Sequence, residues 1–318
     1  MIPQRKAGKS DLEVPVISLG GNVFGWTVDE PRTYRLLDRA AELGLTFIDT
    51  ADVYSRWVPG HAGGESETLI GKWFAKSGKR EKVVIATKVG MDLGDGKKGL
   101  SAKYIPQAAE ASLKRLQTDH IDIYFSHKDD EETPLEETLG AYAKLIEEGK
   151  VRMIGASNYT GARLRLALET SQKNNLPAYS ILQPHYNLLE RADYESGLAQ
   201  VVKEFGLGVV PYFALASGFL TGKYKSAEDA KDKARGGMVG KYLNDRGFAV
   251  VRALEEVARE NNSTPARVAL AWLIAQPGIT APIASATNLD QLEDLAEAAK
   301  LKLDSASLDK LTKVSSLR

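Results

Sequence analysis

Short apolar runs alternate with amphipathic stretches along almost the whole chain, and this alternation restricts the fold more than any other feature. Eight runs read as strands: Val16 to Leu19, Thr46 to Ile48, Val83 to Ala86, Ile121 to Phe125, Val151 to Ala156, Ile181 to Gln183, Val209 to Tyr212 and Thr280 to Ile283. Helical patterns lie between them, and several have marked starts. Thr133-Pro134-Leu135-Glu136 has the form of a capping box, and Thr264-Pro265 and Asn288 with Gln291 look like further starts. No Pro/Gly/Ser-rich linker interrupts the series. The expected fold is therefore α/β, a single (β/α)8 TIM barrel spanning residues 1–318, with a doubly wound open sheet as the runner-up. Ahead of the first strand, Arg5 to Pro15 reads as an N-terminal β-hairpin turning at Gly8-Lys9-Ser10-Asp11 and capping the closed end. Two connections, Ser55 to Gly64 and Gly222 to Leu243, exceed the usual short loop and are expected to cover the active site.

Charge and composition narrow the partners. The 318 residues are 43% hydrophobic and 26% charged, with Lys+Arg and Asp+Glu both 42, so the formal net charge is zero. No global field draws such a chain to nucleic acid or to an anionic membrane, which points to a small-molecule partner. Cysteine is absent, which excludes disulfides, thiolate metal sites and Cys nucleophiles within the chain. The segment Met1 to Ser10 has no continuous apolar stretch of the kind a signal peptide carries, and no run approaches a membrane span, so a cytoplasmic location is expected. The sequence does not specify an oligomeric state.

Four chemically active side chains sit at or just beyond the ends of neighbouring apolar runs. Asp49 and Tyr54 lie in Phe-Ile-Asp-Thr-Ala-Asp-Val-Tyr, Lys88 in Val-Val-Ile-Ala-Thr-Lys, and His127 in Ile-Asp-Ile-Tyr-Phe-Ser-His. A parallel barrel would bring this carboxylate, phenol, ammonium and imidazole to one rim, the end where such folds place their chemistry. A phenol with an ordinary pKa of about 10 is a weak acid at neutral pH, so Lys88 is expected to lower the Tyr54 pKa, with Asp49 holding the lysine charged. Each residue alone has an ordinary structural explanation; the combination is far more specific.

Other features are set aside. Gly94-Asp95-Gly96-Lys97-Lys98-Gly99 spells a dinucleotide fingerprint but begins several residues past the end of its strand, so it reads as a charged surface loop. His61, His120 and His185 show no metal-ligand spacing, and no metal is expected. No nucleophile elbow or Walker loop is present.

The segments Asp-Thr-Ala-Asp-Val-Tyr, Ala-Thr-Lys, Ile-Gly-Ala-Ser-Asn and Ser-Gly-Phe-Leu-Thr-Gly-Lys-Tyr occur in the order found in the aldo-keto reductase superfamily. From about Leu12 to Ala299 the chain resembles that superfamily, most closely its bacterial members and those related to potassium channel β subunits. The resemblance implies a catalytic tetrad: Tyr54 as general acid, Lys88 and Asp49 as its tuning pair, and His127 orienting the substrate oxygen. It also implies hydride from C4 of a nicotinamide, with Ser157, Asn158 and Gln183 at the carboxamide and Tyr212 stacked beneath the ring. Phe213 through Lys223, including Leu215, Ser217 and Gly218, would cradle the pyrophosphate, where backbone amides and a lysine suit an anion. Ser285, Thr287, Gln291 and Asp294 resemble an adenosine-phosphate site, and Gly21, Asn22 and Asp49 complete the implied cofactor set.

Two departures from the family pattern stand out. No basic residue lies near Thr287 or Gln291 in sequence, and Leu295 replaces a frequent asparagine; a hydroxyl can still bind a 2′-phosphate, with less discrimination than a bidentate arginine, so NADP(H) is favoured and NAD(H) stays as the alternative. Phe213-Ala214-Leu215-Ala216 stands where Ser-Pro-Leu-Gly or Ser-Pro-Leu-Ala is usual. Trp26 and Trp57, with Tyr54 and His127, would line a pocket suited to apolar or ring-shaped carbonyl compounds. The expected function is NADP-dependent, reversible reduction of aldehydes, ketones or sugar-like carbonyls. Two alternatives are a slowly turning-over nicotinamide-binding regulatory subunit and a Schiff-base lyase or isomerase built on Lys88.

Overall fold

The computed structural model describes residues 1–226, 228–231 and 236–316. A two-stranded antiparallel hairpin, β1 (Gln4–Lys6) and β2 (Glu13–Pro15), precedes eight parallel strands. These are β3 (Ser18–Gly20), β4 (Phe47–Asp49), β5 (Val84–Val89), β6 (Ile121–Ser126), β7 (Val151–Ser157), β8 (Ile181–Gln183), β9 (Gly208–Val209) and β10 (Ile283–Ala284). From β3 to β9 each strand pairs with the next, and β10 pairs back to β3. The remaining seam closes where Val209 bridges Ile279, Thr280 N donates to Val209 O and Ile283 N donates to Pro211 O. The result is the (β/α)8 TIM barrel expected from the alternation.

The outer layer is formed by α1 (Glu30–Leu43), α2 (Glu65–Ser77), α3 (Tyr104–Leu116), α4 (Leu135–Glu147), α5 (Gly161–Asn174), α6 (Ala199–Phe205), α7 (Gly236–Val239), α8 (Asp245–Glu260), α9 (Pro265–Ala275), α10 (Leu289–Ala298) and α11 (Ser305–Val314). Thr264 caps α9 by accepting from Arg267 N, and Asn288 caps α10 by accepting from Gln291 N, as their sequences suggest. The capping box expected at Thr133 does not form. The hydroxyl of Thr133 donates to Asp130 Oδ2 instead, and Pro134 occupies the cap position with no side-chain acceptor for the first turn.

The strands are shorter in places than their apolar runs, for a local reason. Pro211 and Pro282 have no amide to give, so the ladder lapses within the expected Val209–Tyr212 and Thr280–Ile283 strands. It resumes beyond Pro211, where Tyr212 N donates to Pro184 O.

Inside the barrel, Phe47, Ala86, Ile123, Phe125, Met153, Ile181, Val210, Ala281 and Ile283 pack with Ala7, Val14 and Leu12 of the hairpin, which therefore plugs the end where the strands begin. Gly8 shows how tight the plug is: at φ +63° it has no room for a side chain, since a Cβ would lie 2.4 Å from Ser180 O. Arg5 donates to the carbonyls of Ile274 and Ile279, tying the hairpin to the closing segment. At the same end the buried Asp122 carboxylate accepts from Ile85 N, Arg80 and Arg152 and so ties β6 to the starts of β5 and β7. Surface depressions lined by Arg80, Glu110, Lys114 and Lys150, and by Lys9, Glu169 and Glu204, also lie at this closed end.

The loop from Gly94 to Gly99 contains no helix, with all three of its glycines at positive φ, and α3 begins only at Tyr104. The long connection Gly222 to Leu243 holds a short turn at Glu228–Ala230 and the one-turn α7; residues 227 and 232–235 of that expectation lie outside the described residues.

Candidate active site

The carboxyl ends of the strands meet at the opposite rim and deliver the expected residues in order. Gly20 closes β3, Asp49 closes β4, Lys88 is next to last in β5, His127 follows β6, Ser157 closes β7 and Gln183 closes β8. Side chains alternate in direction along a strand, and one residue at each end is aimed at the barrel mouth. Tyr54 reaches the same point from the turn five residues past Asp49.

Three of the four expected catalytic groups are in direct contact. Lys88 Nζ lies 2.7 Å from Asp49 Oδ2, donates to Thr50 O at 2.7 Å and donates to the Tyr54 hydroxyl at 2.8 Å. The Tyr54 hydroxyl in turn donates to Asp49 Oδ2 at 3.1 Å. Lys88 and Asp49 are buried, and the ammonium also sits 4.5 Å from the centre of the Tyr54 ring. An ion pair this deep needs its remaining hydrogen bonds satisfied, and Gln183 Nε2 provides one to Asp49 Oδ1 at 2.8 Å. With three donors engaged and no exposed surface, Lys88 is held as an ammonium donor; its geometry does not suit Schiff-base attack.

His127 faces Tyr54 edge-on, ring centres 6.1 Å apart. Burial, then the Lys88 charge, drive its pKa well below the ordinary range, so the ring is neutral and carries a single N–H. Its Nδ1 is buried with no protein partner.

The electrostatics correct one expectation. Lys88 was expected to lower the Tyr54 pKa, but burial and the Asp49 charge push the phenol well above 10. Burial also lowers the Lys88 pKa, against the pull of Asp49. The resting site thus holds a protonated phenol whose oxygen accepts from the lysine.

The other expected residues form a linked shell. Ser157 Oγ donates to Gln183 O, and Asn158 Nδ2 donates to His127 O and to Ser157 Oγ. Asn158 Oδ1 accepts from the Tyr212 hydroxyl at 2.8 Å. Beyond Tyr212 the backbone takes positive φ at Phe213, Ala216, Ser217 and Gly218, and Ala216 N donating to Phe213 O and Gly218 N donating to Leu215 O close tight turns there. A Cβ on Gly218 would lie 3.2 Å from Lys223 Nζ, which places the lysine over this turn. Ser285 Oγ donates to Asn22 Oδ1 at 2.6 Å, and a Cβ on Gly20 would lie 2.6 Å from the same Ser285 Oγ, so bare backbone borders this part of the rim. Thr287 N and Oγ1 both donate to Gln291 Oε1. Leu215 is partly buried against the main core. Trp26 and Trp57 meet edge to face at 5.5 Å, and Trp57 lies 6.1 Å from Tyr54, so the expected aromatic group is assembled beside the phenol.

Several neighbours were not singled out from the sequence. His185 stacks on Tyr212 with ring centres 5.1 Å apart and planes 16° from parallel; its place two residues past β8 was the available signal. Arg267, from α9, pairs with Asp294 at 2.6 Å and brings a guanidinium to the Thr287–Asp294 segment from 20 residues upstream of Thr287. Behind Lys88, Thr87 Oγ1 donates to the buried Glu67, which also accepts from Arg115. No local sequence signal marks that helix-borne pair. Among the described residues no group of three or more His, Cys, Asp or Glu is arranged to hold a metal ion. Among the same residues no helix is long and apolar enough to cross a membrane.

A closed parallel barrel carrying a lysine–carboxylate pair against a phenol at its carboxyl rim has the groups that acid–base chemistry requires. The aldo/keto reductase family model matches residues 16–316, and the chain belongs to that family, whose members use nicotinamide cofactors. Among curated proteins it is similar to the L-glyceraldehyde 3-phosphate reductase of Escherichia coli O157:H7, 34% identical over 303 residues that cover 92% of this chain and 86% of the relative. It is also similar to the aldo-keto reductase yakc [NADP(+)] of Schizosaccharomyces pombe, 33% identical, covering 98% of this chain and 90% of the relative. A third relative, a putative voltage-gated potassium channel subunit beta of the same yeast, is 32% identical with 98% and 90% covered. These findings make the protein an oxidoreductase of the aldo-keto reductase family.

Proposed function

We propose that residues 1–318 act as one barrel domain that reduces aldehyde, ketone or sugar-like carbonyls to alcohols, reversibly, with NADP(H) favoured over NAD(H) and Tyr54 as general acid. The observation that carries this reading is the buried Lys88 ammonium 2.8 Å from the Tyr54 hydroxyl, itself bonded to Asp49 at the barrel rim.

The residues fit a nicotinamide dinucleotide on chemical grounds. The tightly turned segment from Phe213 to Gly218, with Lys223 beside Gly218, would receive the diphosphate, the lysine supplying the cation. Ser157, Asn158 and Gln183 would hold the carboxamide, Tyr212 would lie beneath the ring, and Gly21, Asn22 and Asp49 border it. Ser285, Thr287 and Gln291 would contact the adenosine phosphate, and Asp294, which binds Arg267 through the guanidinium Nε and Nη2, would keep that cation beside them. When bound, the cofactor supplies hydride.

The chain's own residues manage the proton. Tyr54, protonated throughout the neutral range, donates its hydroxyl proton to the carbonyl oxygen as negative charge develops there. Lys88 stabilises the resulting phenolate at 2.8 Å, and Asp49 keeps the lysine in place. Neutral His127 donates its one N–H to the same carbonyl oxygen and orients it. Trp26 and Trp57 exclude water and select apolar or ring-bearing substrates. The relative named L-glyceraldehyde 3-phosphate reductase supports a small carbonyl substrate, the relative named for NADP(+) supports the cofactor preference, and zero net charge fits a cytoplasmic protein with a small-molecule partner rather than nucleic acid or membrane.

The test is loss of dihydronicotinamide absorbance when the protein is mixed with NADPH, and in parallel NADH, plus a reactive aromatic aldehyde. Aldehyde-dependent consumption, faster with NADPH, is the expected result. Tight cofactor binding without consumption would instead favour a regulatory nicotinamide sensor, the reading that similarity to a channel β subunit supports.

A further inference from the structure

Five ionisable groups surround the base of the tetrad, and their charges do not balance. The acids Asp49, Asp52 and Glu67 are 2%, 1% and 0% exposed; the bases are Lys88 and Arg115. Lys88 pairs with Asp49 at 2.7 Å and Arg115 pairs with Glu67 at 2.7 Å. Asp52 is the third acid, and it has no base left. Both of its carboxylate oxygens are buried without a protein hydrogen-bond partner, and the Arg115 charge, the Val53 amide and the Lys88 charge only partly offset the upward push of burial and Glu67 on its pKa. A bare carboxylate in that position is costly, so the group is held as the neutral acid.

Its position makes this more than a packing accident. Asp52 sits midway between Asp49 and Tyr54 in sequence, and its main chain follows Lys88, with Asp52 N directed at Lys88 O. The groups around it are Glu67 on α2, Tyr104 and Arg115 on α3, Lys88 on β5, Tyr124 on β6 and Tyr142 on α4. Of these, Lys88 is the one that touches the reacting phenol. Burial works to strip Lys88 of its proton, and a second carboxylate behind it opposes that loss.

We propose that Asp52 is a positioning residue of the site: a buried acid with neither carboxyl oxygen partnered, whose charge, once formed, has Lys88 to act on and keeps that lysine protonated beside Tyr54. The inference rests on the tetrad reading above, but its test reads Lys88 directly and needs no turnover. The protein, with its lysine side chains ¹³C-labelled, is titrated by NMR as wild type and as Asp52→Asn, and Lys88 is assigned from the signal missing in Lys88→Met. In Asp52→Asn the Lys88 titration falls by about one pH unit, as expected for removing one nearby carboxylate. Coincident Lys88 titrations overturn the proposal even if wild-type protein reduces aldehydes. Where turnover is found, the alkaline limb of kcat/KM moves down by the same amount in Asp52→Asn, a change that a purely structural role does not produce. Should Asp52→Asn fail to fold, ¹³C-carboxyl labelling of wild-type aspartate decides. One carboxyl titrating near about 8 supports the proposal, and all aspartates titrating in the ordinary acid range overturn it.

Discussion

At the scale of single residues, the site is organised by which groups hold charge. Tyr54 is expected to stay protonated through and beyond the neutral range, because its pKa is raised above the ordinary phenol value. Carbonyl reduction needs the phenol as donor, so its rate is expected to show no Tyr54-linked loss across neutral pH. Alcohol oxidation needs the phenolate, so its rate rises as the medium becomes alkaline; initial rates in both directions against pH check this. Tyr54→Phe removes the proton donor and is expected to lower kcat by about 10²–10⁴-fold. Cofactor affinity, measured by fluorescence quenching, stays near wild type because the ring remains. Wild-type turnover in that variant sinks the acid assignment. Asp52 makes a separate prediction for stability. Its folded pKa is raised from 3.8 to about 8, so the folded chain retains a proton that the unfolded chain gives up above about pH 4. Wild-type stability therefore falls as pH climbs through that window. Asp52→Asn removes the dependence and is expected to stabilise by up to about 5 kcal/mol at pH 8, with little effect near pH 4. Denaturant unfolding at the two pH values is the measurement.

At the scale of elements, short strands aim the chemistry and the plug beneath them holds the strands. The apolar runs made all eight strands legible, and the residues just past them were legible as site residues because a parallel strand exposes its carboxyl end at the working rim. Legibility failed where a backbone donor is missing or a side chain competes: prolines 211 and 282 shorten β9 and β10, and the Asp130 carboxylate takes the Thr133 hydroxyl that a capping box would have used. The closed end offers a direct test. Asp122→Ala leaves Arg80 and Arg152 without their shared carboxylate and strands the Ile85 amide, and a loss of about 3–5 kcal/mol is expected in chemical denaturation. Gly8→Ala, which drives a Cβ against Ser180 O, is expected to loosen the hairpin and lower the thermal midpoint with little change in KM, since the tetrad lies at the other rim.

At the scale of the whole molecule, the closed barrel joins residues more than 200 positions apart, as where Ser285 meets Asn22 and Arg5 meets Ile279. A ligand bridging several strand ends should therefore stabilise the fold as a unit. NADPH at about 100 times its Kd is expected to add about 2.7 kcal/mol of stability, read as a rise in thermal midpoint, and Lys223→Ala should diminish that rise at a fixed concentration. An unchanged midpoint at saturating NADPH would count against the cradle assignment. What the sequence by itself determined is periodic and local: the alternation that selects a barrel, the turn residues of the hairpin, and the chemically active residues one step past each strand. What the tertiary structure decided is pairwise and long-range. It set Glu67 and Arg115 behind Lys88, His185 against Tyr212 and Arg267 beside Asp294, and it reversed the expected direction of the Tyr54 shift. The physical reason is that a side chain's charge state depends on desolvation and on neighbours brought in by other elements, and neither is written in the residues adjacent to it along the chain.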